Sequence, residues 1–227
     1  MSDFKVDQVF EGGDTNDVFL TDEGTVVKEF SRISTPAFTI SLSYLISGAP
    51  RFFTRSERME NEREVREIEL ETLSFPKILQ EGNGFMEFEY IEGKDLREKA
   101  SRSPEDARDV GLRFAEILDE TREKDVHLVD WFLENFIETD KGLYHVDPEY
   151  SDAEGSQVSD LKDILSIVLT FKLLPPENCS AALEAFREQE GVEGLKISVL
   201  GNFVTLLYAF ALGSRSQKLN AVRNLKQ

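Results

Sequence analysis

Asp130-Trp131-Phe132-Leu133-Glu134-Asn135 leads into Phe136-Ile137-Glu138, a turn at Thr139-Asp140-Lys141-Gly142, and Leu143-Tyr144-His145-Val146-Asp147. Two short runs rich in β-branched and aromatic residues flank that turn, so the segment reads as a hairpin that carries Asp147 back beside the loop holding Asp130 and Asn135. Far upstream, Thr25-Val26-Val27-Lys28 closes an apolar strand on a lysine. In chain order this gives a strand-borne cation, a loop with an acid and an amide five residues apart, and a further acid at a hairpin end.

A triphosphate with its metals requires those groups: a cation on the phosphates, a carboxylate and an amide as metal ligands, and a carboxylate beside an acceptor hydroxyl. Lys28, Asp147, Asn135 and Asp130 offer them. Each is a weak signal alone, because a chain with 44 acidic residues contains many chance Asp-x-x-x-x-Asn spacings. The order and the hairpin context carry the weight.

The rest of the chain is organised in two parts. Residues 4 to 30 alternate in short apolar runs broken at Gly12-Gly13 and Asp22-Glu23-Gly24, the pattern of a β-meander. Met59 to Leu73 reads as a highly charged helix with Val65, Ile68 and Leu73 on its apolar side, ending before Pro76. Ile78-Leu79, a Gly82-Asn83-Gly84 turn and Phe85 to Tyr90 form another hairpin. After Ile91-Glu92-Gly93 the pattern turns helical. Ser103-Pro104-Glu105-Asp106 starts a helix with a capping serine, proline in the first turn and acids that suit the helix dipole. Ala107, Val110, Phe114, Ala115 and Leu118 give that helix a buried face. Further helices are expected at about 157–172, 179–190 and 197–212, the first two separated by Pro175-Pro176. The expected fold is α+β, with a small lobe of sheet plus one helix at 1–91 and a mostly helical lobe at 92–227.

Composition narrows the function classes. The 227 residues suffice for one large domain or two packed lobes. The formal net charge of −18 opposes nonspecific nucleic-acid binding, which needs clustered lysine and arginine. The basic C-terminal tail, with Arg215, Lys218, Arg223 and Lys226, is the one candidate for contact with a partner. Ile197 to Leu212 is shorter than the roughly 20 apolar residues of a membrane helix and is interrupted by Asn202 and Thr205. One cysteine, Cys179, permits no internal disulfide, and the first residues resemble no signal peptide, so a cytoplasmic location is expected. Two histidines and one cysteine are too few for a zinc cluster or a Cys/His dyad.

Taken together, the motifs at Lys28, Asp130, Asn135 and Asp147 resemble those of the protein-kinase-like superfamily. Its small members include archaeal KEOPS-type and RIO-type kinases, lipopolysaccharide-core kinases and aminoglycoside phosphotransferases. The resemblance spans about residues 8 to 172 and implies a bilobal kinase-like fold with ATP and Mg2+ as cofactors. It implies transfer of a phosphoryl group to an unidentified hydroxyl acceptor, a protein serine or threonine or a small molecule. By the same resemblance Lys28 and Asp130 are the catalytic residues, and Asn135 and Asp147 the metal ligands. Gly12, Gly13 and Val18 occupy the place of the phosphate-binding glycine loop, of which Gly13 alone keeps the central glycine. Glu62 is the expected helix partner of Lys28, with Glu64 and Glu69 as alternatives. Glu89 and Ile91 lie in the segment that resembles the adenine-binding hinge, with Phe88 at the gatekeeper position. Asp160 resembles the family's structural aspartate, and equally a helix cap.

The departures are informative. Leu128 and Val129 stand where the family carries His or Tyr and Arg or Gly before the catalytic aspartate. Asp147-Pro148-Glu149 replaces Asp-Phe-Gly, and proline's fixed φ argues against a mobile switch there. Only a dozen residues separate Asp147 from Asp160, too few for a peptide-holding activation segment. These departures keep open a second reading, a pseudokinase serving as a nucleotide-binding scaffold.

Overall fold

The computed structural model describes residues 6–10, 16–31, 33–34, 53–151 and 157–190. Gly12, Gly13, the expected helix at 197–212 and the basic tail lie outside them. Among the described residues, no helix is long and apolar enough to cross a membrane.

Strands β1 (Val6–Phe10), β2 (Asn16–Thr21) and β3 (Thr25–Phe30) form the expected meander. Two-residue strands follow at β4 (Ile33–Ser34) and β5 (Phe53–Thr54), paired with each other. The hairpin β6 (Ile78–Gly82) and β7 (Phe85–Glu89) completes an antiparallel five-stranded sheet in the order β1-β2-β3-β7-β6. Asn83-Gly84 makes the two-residue turn of that hairpin, with Gly84 at φ +93°, a conformation that favours glycine there. Period-two alternation places Lys28 and Phe30 of β3 beside Met86 and Phe88 of β7, since Lys28 pairs with Met86 in register. Phe30, Met86 and Phe88 make a small core to which Met59 and Ile78 add. Lys28 is therefore the charged member of an apolar face.

Helix α1 runs Arg55–Arg66, not Met59 to Leu73 as its apolar periodicity implied. It starts earlier because Thr54 and Glu57 form a reciprocal capping box, with the Glu57 amide donating to Thr54 Oγ1 (3.3 Å) and the Thr54 amide to Glu57 Oε2 (2.7 Å). It stops earlier because Ile68 and Leu73 pack against the large core as irregular chain. Apolar residues wanted there for burial imitate a helix period they do not follow.

The second half begins with β8 (Lys94–Asp95) and α2 (Leu96–Arg102), followed by α3 (Pro104–Glu123). Ser103 caps α3 as expected, accepting from the Asp106 amide at 3.1 Å. A 3-10 turn at Leu133–Asn135 precedes the hairpin β9 (Phe136–Thr139) and β10 (Gly142–His145), and β8 adds to it in the order β10-β9-β8. Helices α4 (Gln157–Lys172) and α5 (Pro176–Glu190) close the described chain. α5 opens three residues before the expected start, because Pro176 sits at the first helical position, where its missing N–H has no helical partner to lose. α3 and α5 approach closely at Gly111, where a Cβ would lie 2.3 Å from the Ala182 carbonyl oxygen. Phe114 of α3 meets Trp131 (ring centroids 5.3 Å apart), Phe136 (4.8 Å) and Phe171 (5.5 Å), so the Asp130 loop rests on an aromatic core.

Candidate active site

Lys28 is 4 % exposed, and its ammonium sits among three carboxylates. Its Nζ lies 2.8 Å from Glu62 Oε2, 2.5 Å from Asp147 Oδ1 and 3.0 Å from Glu149 Oε2. Burial opposes the charged form, but Asp147, Glu149 and Glu62 together outweigh it and hold the ammonium protonated well above the usual lysine range. Glu62 is buried on the inward side of α1, whereas Glu64 and Glu69 are exposed. Glu62 Oε1 also accepts from Arg66 Nη2 at 2.5 Å. The carboxylate oxygens of Glu62, Asp147 and Glu149 lie within 4.8 Å of one another, and the Lys28 ammonium is the cation they share.

The hairpin delivers Asp147 as its sequence implied. The His145 amide donates to the Ser74 carbonyl and the Val146 amide to the Asn135 carbonyl, both at 2.9 Å, so strand and loop are tied immediately before Asp147. Arg66 reaches across from α1, donating from Nη1 to the Pro76 carbonyl (2.7 Å) and from Nη2 to the Val146 carbonyl (3.3 Å). Its guanidinium also stands 4.4 Å over the Phe88 ring. One side chain thus links α1, β7 and the approach to Asp147.

Asp130 lies in a loop whose backbone is bent sharply. Its amide donates to the Leu128 carbonyl at 2.6 Å, which closes a γ-turn on Val129, held at φ +60°. A positive φ is costly for a β-branched residue, and the surroundings must enforce it. They do so through α4. Asp163 Oδ1 accepts from the Val129 amide (2.8 Å) and from Trp131 Nε1 (2.7 Å), while Asp163 Oδ2 lies 2.8 Å from His127 Nδ1. Ser166 Oγ accepts from the Trp131 amide at 3.1 Å and Thr170 Oγ1 from the Leu133 amide at 3.2 Å. The aspartate that braces this loop is Asp163, three residues beyond the expected Asp160, whose side chain lies outside the described residues. Asp163, Ser166 and Thr170 recur at helical spacing, and in the apolar run Ile164 to Phe171 Ser166 and Thr170 are the polar residues, the signal available in the sequence.

Burial raises the proton affinity of Asp130 well above the ordinary carboxylate range, and the nearby Asp147 charge adds to it. His145 is fully buried and holds Asp130 from behind, with Nε2 donating to the Asp130 carbonyl at 3.1 Å. Burial lowers its pKa to about 3, so the ring is neutral.

Of the remaining expected positions, Gly12 and Gly13 lie outside the described residues. Val18 pairs in register with Lys28 across β2 and β3. The Glu89 amide donates to the Lys77 carbonyl at 3.0 Å, and Glu89 Oε1 accepts from the Lys77 amide at 2.9 Å. Ile91 follows β7 half-buried, and Asn135 is half-buried at the end of its 3-10 turn. Sequence reasoning missed Asn16, Arg58 and Glu149. Glu149 Oε2 accepts from Asn16 Nδ2 (2.6 Å) and Arg58 Nη1 (3.4 Å), and Arg58 Nη1 donates to Asn16 Oδ1 (2.8 Å). Asp147 and Asn135 offer a carboxylate and an amide oxygen, the hard donors that magnesium takes.

A five-stranded antiparallel sheet with one bracing helix, joined to a helical half through this lysine and acid cluster, is a protein-kinase-like fold. Two solved structures of the kinase domain of Mycobacterium tuberculosis PknI, a single and a double mutant, share it. Each superposes with a TM-score of 0.50 at 14 % identity, covering 99 % of this chain and 95 % of the neighbour. No protein-family model and no curated protein matches the chain.

Proposed function

We propose that the protein is an ATP-dependent phosphotransferase that moves the γ-phosphoryl group of Mg-ATP to a hydroxyl acceptor. The observation that carries this reading is the convergence of Lys28, Glu62 and Asp147 within 2.8 Å contacts, beside a rigidly braced Asp130 loop. Lys28, held by Glu62, binds the phosphates. Asp147 and Asn135 hold Mg2+, which neutralises charge on the phosphate oxygens when bound. Asp130 orients the attacking hydroxyl and takes its proton, a role that suits a carboxylate whose proton affinity is raised by burial. The Glu89 to Ile91 backbone receives the adenine, and Gly12, Gly13 and Val18 cover the phosphates. Residues 1–91 and 92–227 serve as the two lobes. The acceptor is a protein side chain or a small molecule, and the reaction belongs in the cytoplasm.

The test is a transfer assay with labelled ATP against the protein itself, a lysate and a metabolite panel, combined with Mg-ATP thermal shift. Lys28→Ala should weaken the nucleotide shift. Asp147→Asn should abolish transfer with the fold intact. Asp130→Ala should bind Mg-ATP and lose transfer, because its carboxylate acts in the transition state. Full activity in the Asp130 or Asp147 variant overturns the assignment.

A scaffold reading is favoured by one observation, the Lys28 ammonium already satisfied by three carboxylates. It becomes the better reading if wild type binds ATP yet both it and Asp130→Ala are inert with every acceptor.

A further inference from the structure

Lys28 faces two fully buried carboxylates, and one of them has no counterpart in the roles assigned above. Glu149 is 0 % exposed, and a single oxygen, Oε2, takes Asn16 Nδ2 at 2.6 Å, Lys28 Nζ at 3.0 Å and Arg58 Nη1 at 3.4 Å. Its position is fixed from several sides. Arg58, itself fully buried, is anchored through Nη2 on the Ser31 carbonyl at 2.6 Å, and Asn61 Nδ2 donates to the Glu149 carbonyl at 3.2 Å. Pro148 precedes it, which restricts the backbone further. The cluster as a whole balances its charge: Lys28, Arg58 and Arg66 face Glu62, Asp147 and Glu149. A buried ammonium without such partners would be expelled or neutralised.

We propose that Glu149 is a built-in counter-anion for Lys28, pairing with the ammonium and competing with the triphosphate for it. The inference rests on the nucleotide-binding reading and adds a control on affinity. A triphosphate adds negative charge to a cluster that is already neutral, so Lys28 can engage a phosphate only as its bond to Glu149 loosens. Magnesium lowers that barrier by bringing positive charge with the nucleotide. Arg58 and Asn16 keep the displaced carboxylate satisfied, so release of Lys28 leaves no orphaned buried charge. Asn16 opens β2, and the same contact therefore links the segment after Asp147 to the start of that strand.

The test compares ATP affinity of wild type and Glu149→Gln by calorimetry, with excess EDTA and with Mg2+. Glutamine keeps an acceptor for Asn16 and Arg58 while removing the charge. The expected result is tighter binding of metal-free ATP by the variant, on the order of tenfold, as removal of a like charge beside the phosphates requires. The gap should be smaller with Mg2+. Equal or weaker metal-free binding by Glu149→Gln overturns the counter-anion. A loss of Mg-ATP binding confined to the variant overturns it too, and makes Glu149 a group that supports the bound nucleotide. Failure of folded wild type to bind Mg-ATP at all overturns the nucleotide-binding reading, and this inference with it. Asn16→Ala supplies a second variant that retains the charge but frees its aim. If Glu149→Gln does not fold, weaker metal-free ATP binding by Asn16→Ala supports the proposal, because the displaced carboxylate then lacks one of its remaining partners, and unchanged or tighter binding overturns it.

Discussion

Single residues in this site are placed where isolated side chains would be unstable, and the cost can be measured. Asp130 is held in the folded state at a raised proton affinity, by burial first and by Asp147 second. A carboxylate raised in this way contributes stability that is complete below its unfolded pKa of about 3.9 and is lost as pH rises through the folded value. Asp130→Asn should therefore melt above wild type at pH 7 in EDTA, and the gap should close as the pH is lowered toward 4. A variant that melts below wild type at neutral pH contradicts the assignment. Cys179 offers a simpler case. Burial pushes its thiol up to about 11, so a thiol reagent at pH 8 should label it only after unfolding. Rapid stoichiometric labelling of native protein would show that this part of α5 opens readily.

At the scale of elements, α4 acts as a scaffold for the loop it faces. Asp163 satisfies two N–H donors and contacts His127, and it holds Val129 at a positive φ that no neighbour in sequence enforces. Asp163→Ala should destabilise the protein by about 3 kcal/mol or more, since buried donors are stranded and the turn is released. Urea denaturation measures this directly, and a loss below about 1 kcal/mol would mean that the turn is held elsewhere. The packing of α3 on α5 sets a second limit. Alanine is the better helix former, by about 1 kcal/mol over glycine. At Gly111, however, the added methyl would meet a backbone oxygen at 2.3 Å, and backbone cannot move aside as a flexible side chain would. Gly111→Ala should therefore be net destabilising by about 1–3 kcal/mol, read as a lower urea midpoint. A gain in stability would show that α5 shifts freely.

Over the whole molecule the dominant fact is charge. With 44 acidic against 26 basic residues, the formal net charge is −18, and surface carboxylates repel one another in the compact state. Added salt screens that repulsion within a Debye length of about 10 Å at 0.1 M and about 3 Å at 1 M. The buried ion cluster around Lys28 is sheltered from such screening. The melting temperature should consequently rise between low salt and 1 M potassium chloride, and a fall would place the larger share of stability in exposed ion pairs such as Arg63 with Glu81 and Arg102 with Glu98.

By itself the sequence determined the kinase-like fold class and most of the elements. The period-two runs, the Asn83-Gly84 turn, the Ser103-Pro104 helix start and the spacing from Asp130 to Asn135 to Asp147 are local signals, set by backbone sterics and hydrogen bonding within a few residues. They were legible for that reason, as was the kinase-like order of parts. What failed locally did so where burial overrode periodicity, as in the early end of α1. Only the tertiary structure decided which charges meet. Nothing near Glu149 in sequence marks it as a partner of Lys28, Asn16 and Arg58, since these are 121, 133 and 91 positions away. The sequence points to Asp160 as the brace, and the packing of α4 against the Asp130 loop brings Asp163 to that loop instead. Long-range electrostatic pairing depends on distances of a few ångströms and on exclusion of water, and both exist only once the sheet, helix and loop are packed together.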